Sequence, residues 1–270
     1  MKDLFNIKDK VAVITGGYGI LGRSMAEYLC AQGVVVLILG RNEEKGNALI
    51  HELKAQGGIA YFIKSDVMNQ DILAENAKFI KEKFGRLDIL VNAAGGNMKG
   101  ATIAPNQNFL DLDANDFRKV MDLNLMGTVL PTMAFAPIMI EKKKGSIINI
   151  SSMSAFRPLT RVVGYSASKA AISNFTQYMA TELATKFGNG LRVNAMAPGF
   201  FLTNQNRDLL TNPDGSLTAR GKKIIEQTPF GRFGSPDELN GTLHYLASDA
   251  SAFVTGTVAV VDGGFNAFCL

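Results

Sequence analysis

The sequence has few cysteines and no segment typical of export or membrane insertion. Among 270 residues, Cys30 and Cys269 are the two cysteines, too few for a disulfide framework. Residues 1–10 are charged and contain no apolar block, so neither a signal peptide nor a transit peptide is predicted. We find no apolar run of the roughly 18 residues that a membrane span needs. We therefore expect a cytoplasmic protein with no membrane contact and no metal site.

Charge of one sign is not concentrated along the chain. The net charge is +4, and the longest basic run, Lys142–Lys144, stands directly before Gly145 without an aromatic or basic stripe around it. This run indicates a helix end, where cations suit the helix dipole, rather than a nucleic-acid surface. A modest positive balance favours small anionic ligands such as nucleotides or acids. We expect a small-molecule substrate and no nucleic-acid partner.

Apolar runs alternate with helical patterns along the whole chain. The apolar runs are mostly continuous, as in parallel strands that are covered on both faces. This alternation predicts an α/β fold: a Rossmann-like, doubly wound, parallel seven-stranded sheet with helices on both faces, in a single domain over residues 1–270. The predicted strands lie at 11–15, 34–39, 59–64, 88–95, 145–152, 191–199 and 257–264, and the first predicted helices lie at 24–33, 43–58 and 69–85.

Two segments interrupt the alternation, at 97–112 and at 203–235. Each follows a predicted strand, and in doubly wound sheets ligands bind beyond the carboxyl ends of the strands. Long connections at such a place are commonly lids over a binding site. The second segment, with two short helical candidates around NPDG, is therefore predicted to be a substrate lid.

The stretch TGGYGILG, residues 15–22, follows the first predicted strand. Its glycines spell G-x-G-x-x-G, the dinucleotide fingerprint, but they also fit most of a second turn, T-G-x-x-x-G-x-G. The motif alone does not decide between the two. Either turn brings backbone and a helix N-terminus close to a pyrophosphate. The predicted cofactor-binding residues here are Gly16, Gly17, Tyr18, Gly19, Ile20, Leu21 and Gly22.

The end of the second predicted strand indicates the coenzyme. An acidic residue there would bind the ribose 2′-hydroxyl of NAD, but the chain has Gly40 followed by Arg41. Because arginine can pair with a 2′-phosphate, NADP(H) is favoured. NAD(H) stays possible because Gly40 leaves room for either ribose.

Tyr165 and Lys169 lie four residues apart in a helical run, so they share a helix face. A tyrosine with its usual pKa of about 10 is a poor acid–base group at neutral pH, and a neighbouring ammonium is expected to lower that pKa. Ser152, after the fifth predicted strand, would reach the same cleft and donate to a substrate oxygen. This set predicts proton transfer that is coupled to reduction of a carbonyl.

Together these motifs resemble the short-chain dehydrogenase/reductase family over essentially the whole chain, with one departure, because the family's middle glycine falls on Ile20. The resemblance implies an NAD(P)-dependent oxidoreductase acting on CH–OH groups. It also implies a homotetramer formed through helices around 113–140 and 165–187 and the C-terminal strand. The matching motifs are Thr15-Gly16 with Gly22, Asp66-Val67, Asn92-Ala93-Ala94-Gly95, Asn124, Ser152, Tyr165 with Lys169, Pro198-Gly199 with Thr203, and Asp262-Gly263-Gly264.

The same resemblance assigns a role to each matched residue. Tyr165 would transfer the proton, Ser152 would orient the carbonyl, Lys169 would bind the nicotinamide ribose, and Asn124 would hold a relay water. For Asn92 and Asn124 the alternative is that the side chain satisfies nearby backbone. The remaining expected cofactor contacts are Asp66 and Val67 at the adenine, Asn92, Ala93 and Gly95 along the fourth strand, and Pro198, Gly199, Phe201 and Thr203 at the carboxamide.

The residues expected to line the cleft form a polar and basic set, unlike a steroid or acyl site. Arg157 or Arg161 could clamp a carboxylate with its two-pronged guanidinium, and the asparagines suit hydroxyl groups. A subunit contact through these arginines is the alternative. The candidate substrate residues are Asn97, Arg157, Arg161, Asn204 and Arg207, and Lys99, Gln205, Asn206 and Arg220 line the same cleft.

A sugar acid is therefore the leading substrate hypothesis. The turn and residues 209–239 resemble the D-mannonate oxidoreductase (fructuronate reductase) branch of the family, near the gluconate 5-dehydrogenases. This resemblance implies interconversion of D-fructuronate and D-mannonate. The alternatives are a gluconate 5-dehydrogenase, a 3-oxoacyl-thioester reductase and, outside enzymes, a nucleotide-binding redox sensor. The presence of Ser152, Tyr165, Lys169 and Asn124 argues against the sensor.

Overall fold

The computed structural model describes residues 3–203 and 206–268 and contains a seven-stranded parallel sheet with the order β3-β2-β1-β4-β5-β6-β7. The predicted fold class is confirmed. Several strands end earlier than predicted, because the apolar pattern continues into the loops that follow them. The strands are β1 Val11–Thr15, β2 Val35–Gly40, β3 Ile59–Lys64, β4 Ile89–Asn92, β5 Gly145–Ile150, β6 Leu191–Pro198 and β7 Val258–Val261.

Helices cover both faces of this sheet. Successive strand residues point to opposite faces, so Ile14 of β1 belongs to one buried cluster and Val13 to the other. The helices are α1 Ile20–Ala31, α2 Glu43–Ala55, α3 Gln70–Phe84, α4 Ala114–Met121, α5 Gly127–Lys142, α6 Val163–Phe187, α7 Arg207–Leu210, α8 Ala219–Glu226 and α9 Asn240–Ala247. The first cluster includes residues of α1, α2 and α9, and the second includes residues of α3, α5 and α6.

Local capping explains where several helices begin and end. The side chains of Asn42 and Asn69 accept hydrogen bonds from the backbone of the first turns of α2 and α3, as good N-caps do. Gly85 ends α3 in the left-handed conformation, with φ of 66°. Helix α5 ends at Lys142, which confirms that the basic run marks a helix end.

One helical stretch within the described residues, Ala114–Lys142, is long and apolar enough to cross a membrane by length and composition. The expectation that no such run exists was therefore wrong. Its most apolar window is 56% buried inside the protein, where Phe135 and Met139 contribute to the core. The polar side chains of Thr128 and Thr132 donate to carbonyls one turn earlier. Residues 123–140 carry no charged side chain, and the buried part of this stretch packs against the sheet and α3.

A buried polar network connects the centre of the sheet to α6. The Asn92 amide donates to Thr132 at 3.0 Å and to Asn149 at 2.9 Å. Asn149 in turn donates to the Thr176 hydroxyl at 2.9 Å, and Thr176 donates to the Ile172 carbonyl. Buried polar groups are stable only when they are hydrogen-bonded. The network therefore holds α6 in one position on the sheet.

We expect Thr176→Val to reduce the free energy of unfolding by about 1–3 kcal/mol, because it leaves the buried Asn149 amide without its acceptor. Thr181→Val is the matched control, since the exposed Thr181 hydroxyl contacts only its own helix. Urea unfolding of both variants measures the difference. An equal loss of unfolding free energy in the two variants would show that the network contributes nothing to stability beyond the helix propensity of the substituted residue.

Candidate active site

The turn between β1 and α1 is shaped by two glycines. Gly16 has φ of +65°, which favours glycine, and its carbonyl accepts from Gly19 N at 2.9 Å. A methyl group at Gly22 would lie 2.5 Å from that carbonyl oxygen, and one at Gly16 would lie 2.9 Å from Ala94 Cα. Residues 16 and 22 are therefore closely approached by main chain, as in the T-G-x-x-x-G-x-G turn, whereas a methyl group at Gly17 would meet the Ile38 side chain at 2.9 Å.

The first turn of α1 is arranged to receive an anion. Gly19 precedes the helix, no side chain caps it, and no acidic residue lies in its first turn. The first N–H groups of a helix have no partner within the helix and attract negative charge. Thr15 Oγ1 accepts from the backbone of Ala93 and Ala94 at 3.1 Å each, which fixes this turn beside the end of β4. The residues present fit the pyrophosphate of a dinucleotide.

Tyr18 occupies the end of β2, which sequence reasoning did not foresee. Its ring lies where any side chain at Gly40 would have to be. Its hydroxyl oxygen accepts from the backbone N–H groups of Arg41 and Asn42, both at 3.1 Å. An acidic side chain at position 40 would require the Tyr18 ring to move, and the exposed Arg41 side chain contacts no carboxylate in the described ranges.

The predicted adenine-side residues follow β3. One carboxylate oxygen of Asp66 accepts from Met68 N at 2.9 Å. Val67 is 7% exposed. Asp66 is therefore held by its own turn, while Val67 belongs to the wall of the sheet edge. Their contacts with a coenzyme stay predictions.

Ser152, Tyr165 and Lys169 come together where β5 ends and α6 begins. The Ser152 hydroxyl acts on the Tyr165 phenol as a hydrogen-bond partner that lowers the pKa of the phenol, and Lys169 Nζ lies 5.5 Å from the centre of the Tyr165 ring. The same Nζ donates to the Ile150 carbonyl at 2.6 Å. A hydroxyl, a phenol and an ammonium therefore meet at the carboxyl edge of the sheet.

Burial changes the acid–base properties of this group. It raises the pKa of Tyr165, and the hydrogen bond from Ser152 offsets part of that rise. Burial also lowers the pKa of Lys169 to about 8. The expectation that the ammonium brings the Tyr165 pKa below its usual value was wrong for the protein alone. The free-energy cost of removing a phenolate from water is larger than the stabilisation that the nearby groups provide.

Asn124 lies in a π-helical turn, Asp122–Met126, between α4 and α5. Its amide donates to the carbonyls of Gly96 and Val120 at 2.7 and 2.8 Å, and its Oδ1 accepts from Gly96 N at 3.2 Å. A methyl group at Gly95 would lie 2.6 Å from that Oδ1. The Asn124 side chain therefore clamps the loop after β4, and its relay role stays a prediction.

The residues after β6 form the third wall of the site. Gly199 N donates to the Val261 carbonyl at 2.9 Å directly after Pro198 ends the strand. Phe201 is 4% exposed and pairs with Gly234 in an isolated bridge. Thr203 N donates to Asn206 Oδ1 at 2.8 Å. The two short helices predicted around NPDG are present as α7 and α8.

Two arginines proposed for a substrate carboxylate donate instead to backbone carbonyls, and in this way they connect loops. Arg157 donates to the Phe268 carbonyl at 2.7 Å, and Arg161 donates to the Ile103 carbonyl at 2.6 Å. No sequence signal links residue 157 to 268. Asn97 donates to Thr102 at 2.8 Å, and Arg207 is exposed on α7. Asn204 and Gln205 lie outside the described residues.

The chain matches the family model for short chain dehydrogenases over residues 10–214. It is also 45% identical over 272 residues to an oxidoreductase of Bacillus subtilis named UxuB and called uncharacterized, with 97% of each chain covered. The chain therefore belongs to the short-chain dehydrogenase/reductase family and is an NAD(P)-dependent oxidoreductase acting on CH–OH groups.

Two solved structures are close to the whole chain. A Haemophilus influenzae protein that carries the provisional name D-mannonate oxidoreductase, with bound NAD, has a TM-score of 0.91 at 41% identity, covering 98% of this chain and 97% of that one. A gluconate 5-dehydrogenase from Burkholderia cenocepacia, in complex with NADP and tartrate, has a TM-score of 0.88 at 32% identity, covering 99% of each.

Gly22→Ala is expected to weaken coenzyme binding and to lower the stability by about 1–3 kcal/mol, because the new methyl group would collide with main chain that cannot move away easily. Gly241→Ala is the control, since a methyl group there meets nothing within 4 Å and alanine favours the helix by up to about 1 kcal/mol. Calorimetric titration with coenzyme and thermal unfolding measure both effects. Wild-type coenzyme affinity in Gly22→Ala would contradict the assignment of the β1–α1 turn as the pyrophosphate site.

Proposed function

We propose that this oxidoreductase transfers a hydride between a nicotinamide coenzyme and a keto or hydroxy sugar acid, with D-fructuronate and D-mannonate as the leading substrate pair. The observation that carries the chemistry is the contact of Ser152 with Tyr165 above a buried Lys169. A gluconate-type acid oxidised at carbon 5 is the second candidate. It is favoured by the similarity to the gluconate 5-dehydrogenase structure.

The reaction divides between the coenzyme and the chain. A bound nicotinamide supplies or accepts the hydride. In the direction of reduction, Tyr165 donates its proton to the carbonyl oxygen, and Ser152 donates a hydrogen bond to the same oxygen as it gains charge. The ammonium of Lys169 stabilises the phenolate that remains. In oxidation the phenolate accepts the proton, so a raised Tyr165 pKa makes it the stronger base.

Two buried polar atoms near the reacting groups support a hydroxylated substrate. Asn97 Oδ1, after β4, and Ser154 Oγ, after β5, are buried and form no hydrogen bond within the described part of the chain. Such atoms are costly unless they are paired. Hydroxyl groups of a sugar acid would supply the missing partners once a shift of these loops exposes the two atoms. A 3-oxoacyl thioester, the alternative acyl substrate, offers one β-carbonyl and an apolar chain.

For the coenzyme, the exposed guanidinium of Arg41 supports NADP(H) over NAD(H). Arg41 directly follows Gly40, where the Tyr18 ring occupies the space that an acidic side chain would need. The two similar structures hold NAD in one case and NADP in the other, so both coenzymes fit this type of fold.

We also propose a homotetramer and a moving lid. Met133 on α5 and Tyr178 on α6 are each 63% exposed, and both lie in the helical regions through which the family resemblance implies assembly. The 203–235 segment, with α7 and α8, forms the lid over the substrate. In this proposal the lid is part of a single oxidoreductase domain that spans residues 1–270.

The function is tested by assaying wild-type enzyme with keto-sugar acids, including D-fructuronate and 5-ketogluconate, and with a 3-oxoacyl thioester. We expect turnover of a sugar acid. We expect Tyr165→Phe to reduce kcat by about 10²–10⁴-fold while coenzyme binding persists. Tyr245→Phe, at a partly exposed position on α9, is the control and should keep wild-type kcat. Preference for the thioester would overturn the substrate, and full activity of Tyr165→Phe would overturn the mechanism.

Arg41→Ala is expected to raise KM for NADPH by about tenfold and to leave KM for NADH nearly unchanged. The reason is that a guanidinium–phosphate pair contributes about 1.5–3 kcal/mol when solvent screening is modest. Steady-state kinetics with both coenzymes measures the ratio. Lys45→Ala, in the exposed first turn of α2, controls for a general loss of positive charge. Equal effects on both coenzymes would contradict the NADP preference.

A further inference from the structure

Two half-buried arginines, Arg161 and Arg220, are brought together by the loop that follows β5. Arg220, in the first turn of α8, donates to Thr160 Oγ1 at 3.0 Å and to the Thr160 carbonyl at 3.2 Å. The next residue along the chain is Arg161, whose Nε donates to the Ile103 carbonyl. Three loops meet here: the segments after β4, after β5 and after β6.

Neither of these cations contacts a carboxylate within residues 3–203 and 206–268. Other arginines of this protein do pair with acids: Arg23 with Glu27, Arg86 with Asp88, and Arg232 with Glu238. Burial, and after it the charge of Arg161, lower the pKa of Arg220. Two like charges are therefore held together without a counter-charge, an arrangement that an anion would stabilise.

The backbone of Arg161 indicates that its position is enforced. It has φ of +79°, a region that non-glycine residues rarely adopt and that is common at ligand-binding sites. Its carbonyl accepts from Ile103 N at 2.9 Å, so Arg161 is tied to that residue by both backbone and side chain. With Nε occupied, the two terminal nitrogens of the guanidinium remain for a ligand.

The connectivity of the chain links this pair to the reacting groups. Arg161 lies on the connection between Ser152 and Tyr165, four residues before the phenol. Arg220 arrives from the 203–235 segment. A planar carboxylate matches the fork geometry of guanidinium groups better than any neutral group does. The third candidate, Arg157, reaches a different part of the chain, because its Nη2 donates to the Phe268 carbonyl.

We propose that Arg161 and Arg220 together bind the carboxylate of the substrate. This shared anion then joins the 203–235 segment to the connection between Ser152 and Tyr165, the catalytic loop. The inference deepens the proposed function and rests on it for the identity of the acid. It assigns the carboxylate a place away from the reacting carbonyl. Binding of the acid then neutralises the repulsion between the two arginines.

The test compares Arg161→Gln and Arg220→Gln with wild type, and Lys223→Gln, an exposed position on α8, is the control. Each arginine variant should raise KM for the keto-sugar acid by about tenfold to a hundredfold, with a smaller change in kcat. For the matching keto sugar without a carboxylate, the arginine variants should behave as wild type. Arg161→Lys, which keeps the charge but loses the fork, should fall between wild type and Arg161→Gln.

A binding measurement separates this inference from the proposed function. Calorimetric titration with D-gluconate should show binding to wild type and to Lys223→Gln and weak or no binding to the arginine variants, with sorbitol as the uncharged probe. Unchanged gluconate affinity in both folded arginine variants, or no gluconate binding to wild type, would overturn the inference. If gluconate binding depends on both arginines but no sugar acid is turned over, the proposed function fails and the anion site stands.

Discussion

The ammonium of Lys169 donates to the Ile150 carbonyl at 2.6 Å inside the protein, and the position of the reacting groups follows from this contact. A buried cation is stable only when it is hydrogen-bonded, so the bond fixes the rotation of α6 against the end of β5. The neighbouring strand residues strengthen the same alignment. Asn149 binds Thr176, and Ser151 binds Ser173. Tyr165, one turn before Lys169, is thereby placed beside Ser152.

Arginine side chains connect the loops at this edge of the sheet. Loops leave carbonyl groups that no strand or helix satisfies, and a guanidinium has five donors to offer them. Arg161 joins the loop after β5 to the loop after β4, Arg220 joins α8 to Thr160, and Arg157 joins the C-terminal residues to the catalytic loop. The basic character of the cleft is therefore partly architectural. Only donors left over from these bonds can face a ligand.

Much of the fold was predictable because its signals are local. Continuous apolar runs identified seven parallel strands, and the spacing of Tyr165 and Lys169 placed both on one helix face. The Tyr165 pKa was not predictable, because burial depends on the packed structure and not on the neighbouring residue. The hydrophobicity of α5 was also underestimated, since its uncharged length reflects contact with the sheet. Contacts between residues far apart in sequence, such as Arg157 with Phe268, leave no periodic signal.

The Tyr18 ring over Gly40 makes two positions depend on each other, although they lie 22 positions apart in the sequence. An aspartate introduced at position 40 alone would meet the ring, and the displaced phenol would release the backbone N–H groups of Arg41 and Asn42. A smaller residue at position 18 would remove that collision. An evolutionary or engineered route from one adenosine ribose to the other therefore involves both positions, because a change at the end of β2 also acts on the residue at position 18.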